Sequence, residues 1–295
     1  MKEAIFTGAA TAVVTPFLEN GAGIDFDAYD AILACQLHAG IAAIVVCGTT
    51  GEASTLTPEE REALIVHTVS YCSGRCKVIA GIGTNHTAQS VRLAQQAAAS
   101  GADALLAVTP YYNKASQEGL AAHYFSIADA TELPLIAYNV PSRTGVNLRP
   151  ETCKLLSTHP KINGIKEASG DLSQVARILS LCGEDLNVWS GNDDQITAVM
   201  ALGGKGVISV LANIRPRITA EIAEACLRQD FPASAALQCR YLPLIDALFS
   251  DVNPIPVKAA LEDLGLCRQT LRLPLTPLSQ EKRIRLRSAL LTCPE

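Results

Sequence analysis

The chain has 295 residues, of which 48% are hydrophobic and 18% charged, with a formal net charge of -5. That balance suits a globular protein with a sizeable core. Acids and bases are interleaved along it, so no basic footprint for nucleic acid stands out. No apolar run reaches the roughly 18 residues needed to cross a bilayer. Residues 1–8 lack the apolar region of a signal peptide, so the expected location is the cytoplasm.

Short apolar runs rich in strand-forming residues recur at 10–15, 43–47, 77–81, 104–108, 135–139, 163–166, 187–190 and 206–210. Segments of helical period lie between them, with clear start and stop signals. Thr57-Pro58-Glu59-Glu60 offers an N-cap, a proline at the first helical position and a capping-box glutamate. Asp171-Leu172-Ser173-Gln174 repeats that logic, Ser116 opens a helix after Tyr111-Tyr112, and Gly40, Gly101 and Gly183 stand where helices end. Nearly continuous apolar strands alternating with helices specify a parallel sheet covered on its outer face. Eight such units predict a (β/α)8 TIM barrel over residues 1–225. Residues 226–295 read as a small C-terminal α-helical extension, with helical segments at 233–249 and 253–264. Pro254, Pro256, Pro274 and Pro277 interrupt that region.

The chain holds 10 cysteines and 5 histidines. There is no C-x-x-C, and the closest cysteine pair is Cys72 and Cys76. Cys47 falls in an apolar strand, while Cys35, Cys153 and Cys226 fall in helical patterns. This is the usage of small reduced hydrophobes rather than of a disulfide framework. His38, His67, His86, His123 and His159 are scattered, so no metal site is expected. Gly81-Ile82-Gly83 lacks the third glycine of a dinucleotide fingerprint, and Gly203-Gly204-Lys205-Gly206 is not a phosphate loop.

In a barrel of this kind, chemistry sits where strands end and the following loops begin. Lys77, Lys161 and Lys205 precede strands, whereas Lys166, in Asn163-Gly-Ile-Lys-Glu-Ala-Ser-Gly170, stands at a strand's exit. The same position holds Gly48-Thr49-Thr50-Gly51-Glu52, Thr109-Pro-Tyr-Tyr-Asn113, Tyr138-Asn-Val-Pro-Ser-Arg143-Thr-Gly145 and Ser190-Gly191-Asn-Asp193. Taken singly, each has an ordinary reading: a packed tyrosine, a surface arginine, a solvated lysine, a glycine turn. Converging on one rim, they make a chemical set. A lysine with a pKa near 10.4 is only about 0.04% neutral at pH 7, and burial at an apolar barrel mouth raises that fraction. The free amine can form a Schiff base with a 2-keto acid, and its nitrogen then serves as an electron sink for an enamine. Tyrosine and threonine hydroxyls can relay protons, and an arginine fork suits a carboxylate.

These segments, with Asn253-Pro-Ile-Pro-Val-Lys258 and Leu271-Arg-Leu-Pro-Leu-Thr-Pro277, resemble those of the dihydrodipicolinate synthases, also called 4-hydroxy-tetrahydrodipicolinate synthases, along essentially the whole chain. The resemblance implies a lyase of lysine and diaminopimelate biosynthesis, of the class I aldolase type, condensing pyruvate with L-aspartate-4-semialdehyde without a cofactor. It implies Lys166 as the Schiff-base lysine, Tyr138 as the central acid–base group, and Thr49 and Tyr112 as the rest of a proton relay. Tyr112 would come from a neighbouring subunit, in a homotetramer built as a dimer of dimers. It further implies Thr50 on the pyruvate carboxylate and Arg143 on the carboxylate of the semialdehyde, with Gly191 and Ile208 lining the pocket through their main chain. A lysine feedback site would fall at Ala53, Ser54, Pro58, Arg61, Asn85, Gln89 and Tyr111. There the neutral Gln89 and the cationic Arg61 depart from inhibited members, and the expectation is weak or absent inhibition. The alternative is another pyruvate-dependent aldolase of the N-acetylneuraminate lyase or 2-keto-3-deoxy sugar acid type. A keto-acid sensor would be expected to lose Lys166 or the relay tyrosines, which this chain keeps.

Overall fold

The structure, a computed structural model, describes residues 2–294. Eight parallel strands close on themselves in chain order: β1 (Gly8–Ala12), β2 (Ala43–Val46), β3 (Lys77–Gly81), β4 (Ala104–Val108), β5 (Leu135–Asn139), β6 (Ile162–Glu167), β7 (Asn187–Ser190) and β8 (Gly206–Ser209). Pairing of β1 with β8 completes the ring. The connecting helices are α1 (Phe26–His38), α2 (Pro58–Cys72), α3 (Thr87–Ala99), α4 (Gln117–Asp129), α5 (Pro141–Thr144), α6 (Pro150–Ser157), α7 (Leu172–Cys182) and α8 (Ile196–Ala201). After β8 come α9 (Pro216–Leu227), α10 (Phe231–Leu248), α11 (Ile255–Asp263) and α12 (Gln280–Thr292), and no further strand occurs among the described residues. This is the (β/α)8 barrel with C-terminal helices that the alternating pattern predicts.

The expected start signals operate as physical caps. Thr57 accepts from the Glu60 backbone while the Glu60 carboxylate accepts from the Thr57 backbone, and Ser116 and Asp171 cap α4 and α7. Two details differ from the sequence pattern. β1 begins at Gly8 rather than residue 10, because Gly8 and Ala9 pair with Gly206 and Val207 to close the barrel. Pro243 lies inside α10, a position that forgoes one intrahelical hydrogen bond.

Alternation along each strand separates two cores. Outward residues such as Ile44, Leu105, Ile165 and Val188 pack under the helices, while Ala10, Ile79, Ile136, Trp189 and Ile208 fill the barrel. The entrance ends of the strands are tightly plugged. Phe6 stacks on Trp189 at 5.1 Å between centroids, and the Trp189 indole donates to the Phe6 carbonyl at 3.2 Å. Beneath them the Lys2 ammonium donates to the carbonyls of Ser157, His159 and Ile162 at 2.7 to 2.8 Å, tying the first residues across the turn into β6. The indole also explains Gly164, since a Cβ there would stand 2.5 Å from Trp189 Cζ3. With one end sealed, the other is left for the site.

The C-terminal helices reach back onto that open end. The Lys258 ammonium of α11 and the Glu52 carboxylate form a fully buried pair at 2.6 Å, and Lys258 also donates to the Thr270 carbonyl at 2.6 Å. The second Glu52 oxygen accepts from the Arg272 backbone at 3.1 Å, while the Arg272 guanidinium grips Glu60 of α2 through both carboxylate oxygens. Both cations also stand over the ring of Phe17, each 4.2 Å from its centroid. Glu52 has a φ of 52°, an unfavourable region for a residue with a Cβ, so these bonds hold a strained turn in place. That turn is the Gly48–Glu52 loop.

Candidate active site

Lys166 is the fifth residue of β6 and points into the barrel, because its neighbours Ile165 and Glu167 point outward. Register places Tyr138 of β5 on one side of it and Trp189 of β7 on the other. The amine therefore lies 4.4 Å from the Tyr138 ring centroid, with the side chain only 5% exposed. Burial lowers its pKa from 10.5 to about 8; the Asp193 carboxylate works against that fall and Arg143 adds to it. At pH 7 roughly a tenth of the lysine is then neutral, about 200- to 300-fold more than for an exposed lysine.

The outward side of the same strand is locked. The Glu167 carboxylate accepts from Asn139 at 3.0 and 3.2 Å, from the Ser169 backbone at 2.7 Å and from Gln174 at 3.1 Å. Burial raises its pKa, and these donors oppose the rise. The network fixes the ends of β5 and β6 together, and with them the relative height of Tyr138 and Lys166.

Lys166 opens onto a cavity of about 410 Å³ at the exit ends of the strands. Thr49, Thr50, Tyr138, Arg143 and Gly191 line it with the lysine. Tyr138 is buried and shares the cavity wall with Thr49; desolvation raises its pKa, which Arg143 and Thr49 partly counter. The Thr50 hydroxyl accepts from Asn253 Nδ2 at 2.9 Å. Arg143, on the short α5, donates to the Asn253 carbonyl at 3.4 Å. Gly191 is bare because a Cβ there would come within 2.6 Å of Ala168 Cβ and 3.0 Å of Lys166 Cε. A neutral amine, two threonine hydroxyls, a tyrosine and a guanidinium thus face one small space, which suits imine chemistry on a carboxylate-bearing carbonyl compound.

Two residues singled out from the sequence stand apart from this space. Ile208 is wholly buried among the barrel-filling side chains, and the wall at that strand is made by Val210. Tyr112 is 88% exposed with a φ of 75°, and lies outside the cavity wall of its own chain. The second group of residues meets elsewhere. Ala53, Ser54, Pro58, Arg61, Gln89 and Tyr111 line a neighbouring hollow of about 520 Å³, which shares Thr49, Tyr138 and Arg143 with the first. Asn85 is tied to that region through its carbonyl, which accepts from Asn113 at 2.9 Å. Arg61 is buried there and spends its fork on the carbonyls of Ala53 and Gly81, at 2.9 and 2.6 Å.

The structure adds residues to which the sequence reading gave no role. Asp193 is buried beside Lys166, its Oδ2 accepting from the backbones of Val210 and Leu211 at 3.0 and 2.9 Å. Its only sequence signal was its place in the loop after β7. Phe249, Asp251, Val252 and Asn253, from the turn between α10 and α11, form one wall of the cavity. A strand-exit filter cannot find them, because they follow a helix.

Comparison with known proteins agrees with this geometry. The profile of the dihydrodipicolinate synthetase family matches residues 5–292. A 4-hydroxy-tetrahydrodipicolinate synthase of Exiguobacterium sp. strain AT1b is 48% identical over 286 residues, covering 97% of each chain. The dihydrodipicolinate synthase of Thermotoga maritima superposes with a TM-score of 0.96 at 42% identity, over 98% of this chain and 99% of that one. The chloride-inhibited enzyme of Acinetobacter baumannii, solved as a pyruvate complex, gives the same TM-score, identity and coverage. Matched from end to end in sequence and in barrel geometry, the chain belongs to the dihydrodipicolinate synthetase family.

Proposed function

We propose that Lys166 carries the reaction as a Schiff-base nucleophile toward pyruvate. The activity is that of the 4-hydroxy-tetrahydrodipicolinate synthases, aldolase-type lyases of lysine and diaminopimelate biosynthesis, with L-aspartate-4-semialdehyde as second substrate. The relatives' names favour this reaction over a sugar-acid aldolase. The observation that carries the assignment to Lys166 is its burial against Tyr138 with a pKa of about 8. In this reading the neutral amine adds to C2 of pyruvate, and water leaves as the imine forms. Loss of a C3 proton gives the enamine, which attacks the aldehyde carbon. The substrate's own amine then closes onto C2 and frees Lys166.

Tyr138 and Thr49 move the protons, joined by Tyr112 of a second copy of the chain, whose exposed ring has no role within its own barrel. Thr50 holds the pyruvate carboxylate and Arg143 that of the aldehyde. Gly191 keeps the wall thin beside the lysine, and Ile208 supports the floor. Assembly as a homotetramer and a cytoplasmic location fit this reading, and no helix among the described residues is long and apolar enough to cross a membrane.

The test is borohydride reduction with pyruvate, followed by intact mass, on the native chain and on Lys166→Ala. A pyruvate-derived mass gain on the native chain alone supports the assignment, and no gain on the native chain sinks it. Regulation follows from the second hollow, where the Arg61 cation would repel the ammonium of lysine and the neutral Gln89 cannot pair with it. Activity should therefore be unchanged at millimolar lysine, and strong inhibition there would refute that reading.

A further inference from the structure

The second substrate is an amino acid, a zwitterion at neutral pH, yet the roles assigned so far account only for its carboxylate and aldehyde. Its ammonium needs an anionic partner near the mouth. One carboxylate stands there. Asp251 lines the cavity from the turn after α10, two residues before Asn253, whose carbonyl receives Arg143. Arg143 and Asp251 thus line the same space from adjoining walls.

Asp251 is arranged to remain an anion. Its Oδ2 pairs with Lys282 at 2.7 Å and its Oδ1 accepts from the Val252 backbone at 2.7 Å. Lys282 and that backbone donor hold its pKa below the ordinary carboxylate range. A carboxylate accepts about four hydrogen bonds, so two partners leave it room for a third. Its neighbours Phe249 and Val252 are apolar and contribute no competing charge to the wall. Asp193, the other acid near the lysine, has one oxygen committed to two backbone donors and lies deep in the interior, so it is no substitute at the mouth.

We infer that Asp251 reads the α-ammonium of the incoming aldehyde while Arg143 takes its carboxylate, an inference that rests on the proposed synthase reaction. The pair then selects α-amino aldehydes over aldehydes that carry only a carboxylate. Asp251 acts when the substrate is bound and not in ring closure, since the amine must leave it and lose a proton before attacking C2.

The experiment compares L-aspartate-4-semialdehyde with succinic semialdehyde, the same skeleton without the amine. The first is followed by ring-product formation, and the second by competitive inhibition and by the mass of its pyruvate adduct. Asp251→Asn should lower kcat/KM for the amino aldehyde by about 10- to 100-fold, mainly through KM, leaving pyruvate KM and succinic semialdehyde affinity unchanged. Lys282→Met removes the partner but keeps the anion, and should retain the preference for the amino aldehyde. Equal losses for both aldehydes in Asp251→Asn, or no loss for either, would overturn the inference. So would a Lys282→Met variant that loses the preference as Asp251→Asn does. Failure of the native chain to trap pyruvate would instead sink the underlying synthase reading.

Discussion

At the residue scale the most consequential group is a single buried amine, Lys166, whose burial opposes folding. The fall in the Lys166 pKa from 10.5 to about 8 corresponds to about 3 kcal/mol of disfavour for the charged form. Between pH 8 and 10.5 the unfolded chain binds more protons at this position than the folded one, so stability rises with pH through that window. Below pH 8 the penalty is present in full. Lys166→Met should accordingly be inactive yet more stable than the native chain at pH 7, by at most about 3 kcal/mol. The difference should shrink toward pH 10.5, as denaturant melts across that range would reveal. With Lys166 as the proposed nucleophile, single-turnover imine formation with pyruvate should rise with pH and level off above about 8. Gly191→Ala tests the fit around the amine, because its methyl would press on Lys166 Cε. A fall in kcat/KM of about tenfold or more, together with lowered melting from the clash with Ala168, is the expected result.

Strand register does at the element scale what no single residue could. Tyr138 and Lys166 are opposed because β5 and β6 pair at that position, and the Asn139–Glu167 bond secures the pairing from outside. Much of this was legible in sequence. Apolar runs of the right length gave the barrel, and the glycine, threonine or tyrosine loops that follow several of them marked the candidate rim, because strand exits are local features. What stayed hidden depends on long-range packing. Lys258 looks like any lysine in a helix, and only the fold reveals it as buried against Glu52, 206 residues away. Asp251 and Asn253 reach the cavity from beyond the barrel. The buried pair has an energetic signature. Lys258→Met would leave Glu52 uncompensated and should cost about 3–5 kcal/mol. Adding Glu52→Gln should recover much of that loss, a pattern denaturant unfolding of the two variants and their combination would establish.

The whole molecule raises the question of where the site is completed. If Tyr112 acts across a subunit boundary, Tyr112→Phe and Lys166→Ala are each nearly inactive alone. Mixing the two after dissociation should restore about a quarter of native activity, because half the mixed dimers' sites are intact. No recovery would argue against Tyr112 acting across the boundary. The wall built from Phe249 to Asn253 completes the site within the chain, and it has a consequence for the timing of synthesis. A nascent chain folds from its N-terminal part as it emerges from the ribosome. Lys166 and Tyr138 are made long before the wall residues, and Lys258 comes later still. A newly made barrel therefore lacks both the wall and the anchor of its threonine loop until its last third has emerged. With Lys166 as the proposed nucleophile, the complete keto-acid site is assembled only toward the end of synthesis.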